Sequence, residues 1–262
     1  MFFKKPRNIK HSIKIKLPRH RQEIFIGRQV DDFVVEWVLS HHYSNTIILV
    51  DTNFLKINKR FIEFLSDKIK ISKIIPAKPT EESKSFKFLN STLEKCYASG
   101  LGRKSCIMAI GGGIVGDIAG FLASIYMRGI DFIFIPTTLM AQADTIINKV
   151  AISYKLLKNI VGSFYSPILT VCDVSFLDTL QKEEISLGLS EIIKHSLLDS
   201  DKHFNYIKEI IGEKMQNQKQ YPWEDIIYRS LAVKKHLVEK DPFDDSGFHK
   251  GLSYGRCFRN EI

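Results

Sequence analysis

Three glycines, Gly111, Gly112 and Gly113, follow an apolar run at 106–110, and a helix pattern starts directly after them. Glycine lets a backbone approach an anion closely, and the free amides of a helix's first turn point at it. Strand, glycine turn and helix start therefore suit a phosphate cradle. Asp117, just inside that helix, suits a ribose or nicotinamide contact, or a place at the positive end of the helix dipole. Asp51 and Asn53 close a second apolar run, 46–50, where a ribose contact and a cap for the helix near Phe54 are both open. Glu81 and Lys84 have the spacing of a surface ion pair, and Thr137 and Thr138 place hydroxyls where a helix begins, for capping or for phosphate. Lys149, Lys158 and Asn159 lie in a segment with few acids. Lysines converging there suit a phosphorylated, carboxylated substrate, with solvated lysines as the alternative. Glu191 and Lys194 sit about one turn apart on a helix otherwise rich in Leu and Ile, so Glu191 is either a salt-bridged core residue or a metal ligand. His195, four residues after Glu191, reads as a hydrogen-bonded structural histidine in preference to a shared metal ligand.

Positioning these groups requires an alternation of strands and helices. Strands are expected at 13–17, 23–27, 46–50, 70–76, 106–110, 132–135 and 169–173, and helices at 54–66, 82–98, 182–198, 203–215 and 223–239, with a helix-like run to about Leu39. Helices alternating with buried apolar strands predict an α/β fold with a Rossmann-like, largely parallel sheet. The change to helices alone predicts a nucleotide-binding domain over 1–172, an incomplete α-helical domain over 173–262, and a ligand cleft between them.

Hydrophobic residues make up 44% of the 262, enough to bury a core, and the formal charge is +9. Eight Lys or Arg and no acid fall within residues 1–22, so the excess reads as a solvated basic strand edge, without nucleic acid as a partner. Cys96, Cys106, Cys172 and Cys257 lack paired spacing, which suits reduced thiols in a cytoplasmic protein. Asp117, Arg128 and Asp131 interrupt the most apolar region, so no membrane span is expected, and the start at Met1 lacks the pattern of a signal peptide.

Five motifs in order, IGGGIVGDIAGF (110–121), YMRG (126–129), IPTTLMAQAD (135–144), KNIVGSFY (158–165) and GLSEIIKH (188–195), resemble the 3-dehydroquinate synthase family of sugar-phosphate cyclases. The resemblance implies a retained NAD and a zinc or cobalt ion. It implies conversion of 3-deoxy-arabino-heptulosonate 7-phosphate to 3-dehydroquinate with loss of phosphate, in the shikimate pathway to aromatic amino acids. In that chemistry NAD oxidises a ring hydroxyl, phosphate is eliminated, the hydride returns, and an intramolecular aldol step closes the ring. By motif match, Asp51, Asn53, Glu81, Lys84, Gly112, Gly113, Ile114, Asp117, Thr137 and Thr138 would contact NAD. Asp144, Lys149, Lys158, Asn159, Lys194 and Lys234 would meet substrate or cofactor. Arg128 resembles an arginine that reaches phosphate in the neighbouring subunit, which implies a homodimer, and Glu191 resembles the family's carboxylate metal ligand.

The sequence departs from the family at several points. Arg256 stands where a histidine ligand is expected, Asn260 where a second, catalytic histidine is expected, and the remaining histidine ligand would lie beyond Ile262. Arginine has no lone pair for a metal, which predicts an incomplete metal site. The family's Gly-Gly-Lys-Thr segment is replaced by Ile147-Asn148-Lys149-Val150, one residue shorter. These departures keep two alternatives open: a related cyclase such as 2-deoxy-scyllo-inosose synthase, and a non-catalytic NAD-binding or dimer-partner protein. Helices lacking beyond 262 would leave an apolar surface on the helix of Glu191 uncovered.

Overall fold

The computed structural model describes residues 8–17, 21–145, 149–214, 218–243 and 245–246. The chain enters as an antiparallel pair, β1 (Ile9–Lys16) with β2 (Arg21–Gly27). Ile9, Ile13 and Ile15 of β1 point inward, while Lys14 reaches Glu23 at 2.8 Å on the wet side, as the alternation of apolar and basic residues requires. Then follow α1 (Asp31–Ser40), β3 (Thr46–Asp51), α2 (Thr52–Ile57), α3 (Lys59–Lys68), β4 (Ile71–Ala77), α4 (Phe86–Ala98), β5 (Cys106–Gly111) and α5 (Gly113–Ile125). β6 (Asp131–Pro136), α6 (Leu139–Ala143), a hairpin of β7 (Val150–Tyr154) and β8 (Leu157–Ser163), and β9 (Leu169–Asp173) complete the first part. Beyond β9 the long elements are helical: α7 (Lys182–Asp199), α8 (Asp201–Lys214) and α9 (Trp223–Lys240).

The main sheet has the order β1-β2-β9-β6-β5-β3-β4, parallel everywhere except at β1. Its central strands are buried on both faces, so alternate residues feed two cores. Ile48, Val50, Met108 and Ile110 pack with Phe33, Trp37, Phe61 and Leu65 on one side. Ile47, Leu49, Ile107 and Ala109 pack with Leu89, Ile118 and Leu122 on the other. A third core joins Ile13, Ile15, Ile24 and Ile26 to Ile185, Ile192, Trp223, Ile227 and Leu231, fastening the helical segment onto the β1–β2 edge.

Three expectations change. The helix expected over 54–66 is two helices, α2 and α3, separated at Asn58 (φ −114°, ψ 40°). The helix expected from 82 starts at Phe86, because Ser85 caps it, and Glu81–Ser83 form a single 3-10 turn ahead of it. The β7–β8 hairpin carries Lys158 and Asn159 and was not foreseen. Cys96, Cys106 and Cys172 are buried free thiols, and Cys257 lies outside the described residues. Among the described residues no helix is long and apolar enough to cross a membrane.

Candidate active site

From β3 the chain crosses to β4 on one side, then returns to the other side for β5, β6 and β9. The order therefore reverses between β3 and β5, and at such a reversal an open parallel sheet leaves a crevice beyond its strand ends. Asp51 and Gly111 occupy those two ends. A Cβ on Gly111 would lie 3.0 Å from Asp51 Cβ and 2.9 Å from Val115 Cβ, so only glycine fits there, whereas a Cβ on Gly113 would meet nothing within 4 Å. The first turn of α5 has no side-chain cap and opens onto that space. Thr138 adjoins it, with its Cγ2 3.5 Å from where a Gly112 Cβ would be. Ile114 stands in the same first turn, half-buried.

The capping alternatives hold in part. Asp51 Oδ1 accepts the amides of Asn53 (2.7 Å) and Phe54 (3.3 Å), capping α2, and both bonds use the same oxygen. Burial nonetheless pushes its carboxyl above the ordinary range, the two amides offsetting only part of that cost. Asn53 is exposed in the first turn of α2. Thr138 Oγ1 accepts from the Ala141 amide at 3.2 Å, capping α6, and Thr137 is buried with its amide donating to Gly111 O at 3.0 Å.

Lys84 is not one half of a surface pair. It is 3% exposed, and its Nζ donates to Asp117 Oδ2 at 2.6 Å and to Asn159 Oδ1. The 3-10 turn before α4 swings it inward, and its carbonyl accepts the Ser153 amide at 2.7 Å, tying the turn to β7. Asn159 reaches back from β8 with a left-handed backbone (φ 56°). Glu81 accepts from Ser153 Oγ at 3.4 Å and is exposed. Burial raises the Asp117 carboxyl above its usual range. Lys84 opposes this, while Glu81 and Asp144 add to the rise. Residues from three distant segments thus meet one turn along α5 from the glycines.

A second cluster lies where α6, α7 and α9 converge. Gly188 makes this possible: a Cβ there would sit 2.5 Å from Leu139 Cγ and 2.7 Å from Met140 N, so α7 rests directly on α6. Glu191 and His195, at three and seven residues beyond Gly188, share the face turned to α6. Lys234 Nζ, from α9, holds Asp144 Oδ1 at 2.5 Å and Asp144 O at 2.7 Å, and Lys194 Nζ pairs with Glu191 Oε1. Burial works to raise the Glu191 carboxyl, but His195 and Lys194 outweigh it and hold it at about 2. The His195 ring is fully buried, with Nδ1 2.6 Å from Ser230 Oγ. One ligand atom each from Asp144, Glu191 and His195 lies within 4.8 Å of the others. Two carboxylates and an imidazole are a donor set that suits zinc or cobalt.

Other expected residues stand apart from these clusters. Lys149 is exposed, its Nζ 5.9 Å from the centre of the Phe164 ring, and Lys158 is exposed on β8. Arg128 is exposed at the far end of α5, roughly 20 Å along the helix from the glycine turn. Arg256 and Asn260 lie outside the described residues. His195 was visible in the sequence by its i+4 spacing from Glu191. Its partner Ser230, on another helix, was not. Leu187, Leu197 and Leu198 of α7 are 48%, 63% and 41% exposed.

An open parallel sheet with a glycine turn at its strand reversal, followed by helices bearing carboxylates and an imidazole, defines the class of nucleotide-binding α/β folds. Residues 74–187 match the family described as 3-dehydroquinate synthase N-terminal, and residues 188–261 match 3-dehydroquinate synthase C-terminal. A 3-dehydroquinate synthase of Caldanaerobacter subterraneus subsp. tengcongensis is 38% identical over 259 residues, covering 95% of this chain and 70% of that relative. The chain belongs to the 3-dehydroquinate synthase family. Its fold matches a 2-deoxy-scyllo-inosose synthase crystallised with carbaglucose-6-phosphate, NAD+ and Co2+ (TM-score 0.83, 24% identity, 94% of this chain and 68% of that one). It also matches a 2-epi-5-epi-valiolone synthase from Streptomyces hygroscopicus with NAD+ and Zn2+ bound (TM-score 0.81, 20% identity, 93% and 68%).

Proposed function

We propose that the chain is an NAD-dependent, phosphate-eliminating cyclase that converts 3-deoxy-arabino-heptulosonate 7-phosphate to 3-dehydroquinate. The observation that carries this is the Lys84 bridge between Asp117 and Asn159, placed beside the open glycine turn at the strand reversal of a 3-dehydroquinate synthase-family chain. NAD, when bound, supplies a hydride acceptor that gives its hydride back within one turnover. The amides at Gly112, Gly113 and Ile114 bind its phosphates, assisted by Thr137 and Thr138. Asp51, through the oxygen left over from capping, binds ribose together with Asn53. Glu81, Lys84 and Asp117 orient the rest of the cofactor. Lys84 fixes Asn159 at the boundary between cofactor and substrate, and Lys149 and Lys158, exposed on and beside the β7–β8 hairpin, would have to turn inward to bring positive charge to a phosphate and a carboxylate. The paired Asp144 and Lys234, and Glu191 and Lys194, hold substrate hydroxyls and exchange protons with them. A zinc or cobalt ion would be held by Glu191 and its neighbours and would polarise substrate oxygens.

In this account residues 1–172 form the NAD-binding domain and 173–262 the metal and substrate domain. The distance of Arg128 from the glycine turn favours its acting on the substrate of a second subunit, hence a homodimer. Buried reduced thiols favour a cytoplasmic location. Titrating NAD+ into the purified chain tests the cofactor half: we expect saturable binding, weakened at least about tenfold by Lys84→Ala. Absence of binding by the wild-type chain would overturn it. Arg256 and Asn260 favour a second function, an NAD-binding partner without turnover. NAD+ binding with no release of phosphate would establish that alternative.

A further inference from the structure

Gln22 stands in an apolar stripe. Side chains alternate along a strand, so it shares the face of β2 that carries Ile24 and Ile26 into the core with Leu139 and Ala143 of α6. It is fully buried, and a buried polar group is costly unless its hydrogen bonds are made. Its Nε2 donates to Thr145 O at 3.1 Å and to Thr170 Oγ1 at 3.0 Å. A carbonyl can only accept, so the amide nitrogen and not the oxygen must face Thr145, and both of its protons are then spent. Oε1 has no hydrogen-bond partner among the described residues, so the polar satisfaction of Gln22 rests on those two donations.

Thr145 O belongs to a series. α6 ends at Ala143, and carbonyls at the end of a helix lack partners within it. Three successive ones each take a side chain: Ala143 O from Ser230 Oγ (3.4 Å), Asp144 O from Lys234 Nζ (2.7 Å) and Thr145 O from Gln22. Just before them, Gln142 Nε2 donates to Pro136 O (3.1 Å) and Asp173 O (2.8 Å), at the ends of β6 and β9. These tethers differ in stiffness. Lys234 grips Asp144 from a long flexible stem that can follow it. Gln22 is rooted in β2, and Thr170 on β9 sets the plane of its amide. We propose that Gln22 is a positioning residue for Asp144, locking the next peptide to the main sheet so that the Asp144 carboxylate is presented from a fixed backbone. Its effect on turnover rests on the cyclase function proposed above, in which Asp144 meets a substrate hydroxyl; the lock itself does not.

Gln22→Met keeps the length of the side chain and removes the donor. Hydrogen exchange of the full chain, read by mass spectrometry beside steady-state kinetics, tests the proposal. A helix as short as α6 has little stability of its own, so slow exchange there reports its tethers. The expected result is wild-type exchange as slow over 139–145 as in β9. In Gln22→Met it should rise at least about tenfold there, with β2 and β9 changed less than about twofold. A reacting group misplaced by about 1 Å can lose about 100-fold in rate, so kcat for phosphate release should fall at least about tenfold with KM nearly unchanged. Fast exchange over 139–145 in the wild-type chain would overturn the lock without recourse to any variant. So would a Gln22→Met chain, folded by circular dichroism, with no rise there or with an equal rise in β2 and β9. An unaltered kcat beside the local rise would overturn the positioning role. A wild-type chain without turnover would sink the cyclase function alone, and exchange would still decide the lock.

Discussion

Lys84 holds a buried carboxylate and an amide that come from elements far apart in the chain. Burying a charge is costly unless it is paired, and removing one partner exposes the other to the full cost. Lys84→Met keeps the apolar stem but leaves Asp117 facing Glu81 and Asp144 without its cation. The expected loss is about 3 kcal/mol, discounted toward 2 because the Asp117 side chain is 25% exposed. Adding Asp117→Asn should recover part of it. Urea unfolding of the single and double variants measures this, and equal losses in both would count against the pairing. At this scale the sequence showed the chemistry of Asp51 and Thr138, because a cap needs only local residues. It did not show the setting of Lys84, whose partners lie 33 residues later on α5 and 75 residues later on the hairpin.

The elements place the two clusters by close approach and by ion pairs. Gly188→Ala would force α7 off α6, since the new methyl carbon lands 2.5 Å from Leu139 Cγ. Overpacking of this kind costs about 1–3 kcal/mol, which a fall in Tm reads. At the other edge, Asp225 in the first turn of α9 meets Lys10 at 2.6 Å and His11 at 2.7 Å, clamping the helix to β1. Partial burial acts to raise its carboxyl, but Lys10 and His11 overcome that and hold it below the usual range. A carboxyl depressed in the folded state stabilises above its unfolded pKa and loses that contribution as pH falls through the folded value. Asp225→Asn should therefore cost about 0.5–1 kcal/mol near pH 6, where the pair is largely solvent-screened, and almost nothing near pH 2. Denaturation at both pH values checks the sign. Helix and strand periodicity made the main sheet and the late helices legible. The break at Asn58 and the β7–β8 hairpin were not, because β8 is almost wholly exposed and β7 is buried mainly through Val150 and Ile152.

Across the whole molecule, the sheet leaves a crevice at its strand reversal, and α6, α7 and α9 bring the carboxylate cluster together. The two are near enough for Asp144 to raise the Asp117 carboxyl. The change from alternating strands and helices to helices alone was readable in the sequence. The imidazole beside Glu191 was readable too, from the i,i+4 spacing of His195 on α7, whereas its partner Ser230 on α9 was not. Leucines are exposed on α7 and on the hairpin, where Leu156 is 98% exposed. The central claim is that crevice and cluster act on one substrate. The direct measurement is phosphate release from 3-deoxy-arabino-heptulosonate 7-phosphate by the purified chain with cobalt, with and without NAD+, beside Glu191→Gln. We predict release that requires NAD+ and is lost in Glu191→Gln. No release from a wild-type chain that binds both NAD+ and cobalt would contradict the account, leaving a nucleotide-binding protein without the cyclase reaction.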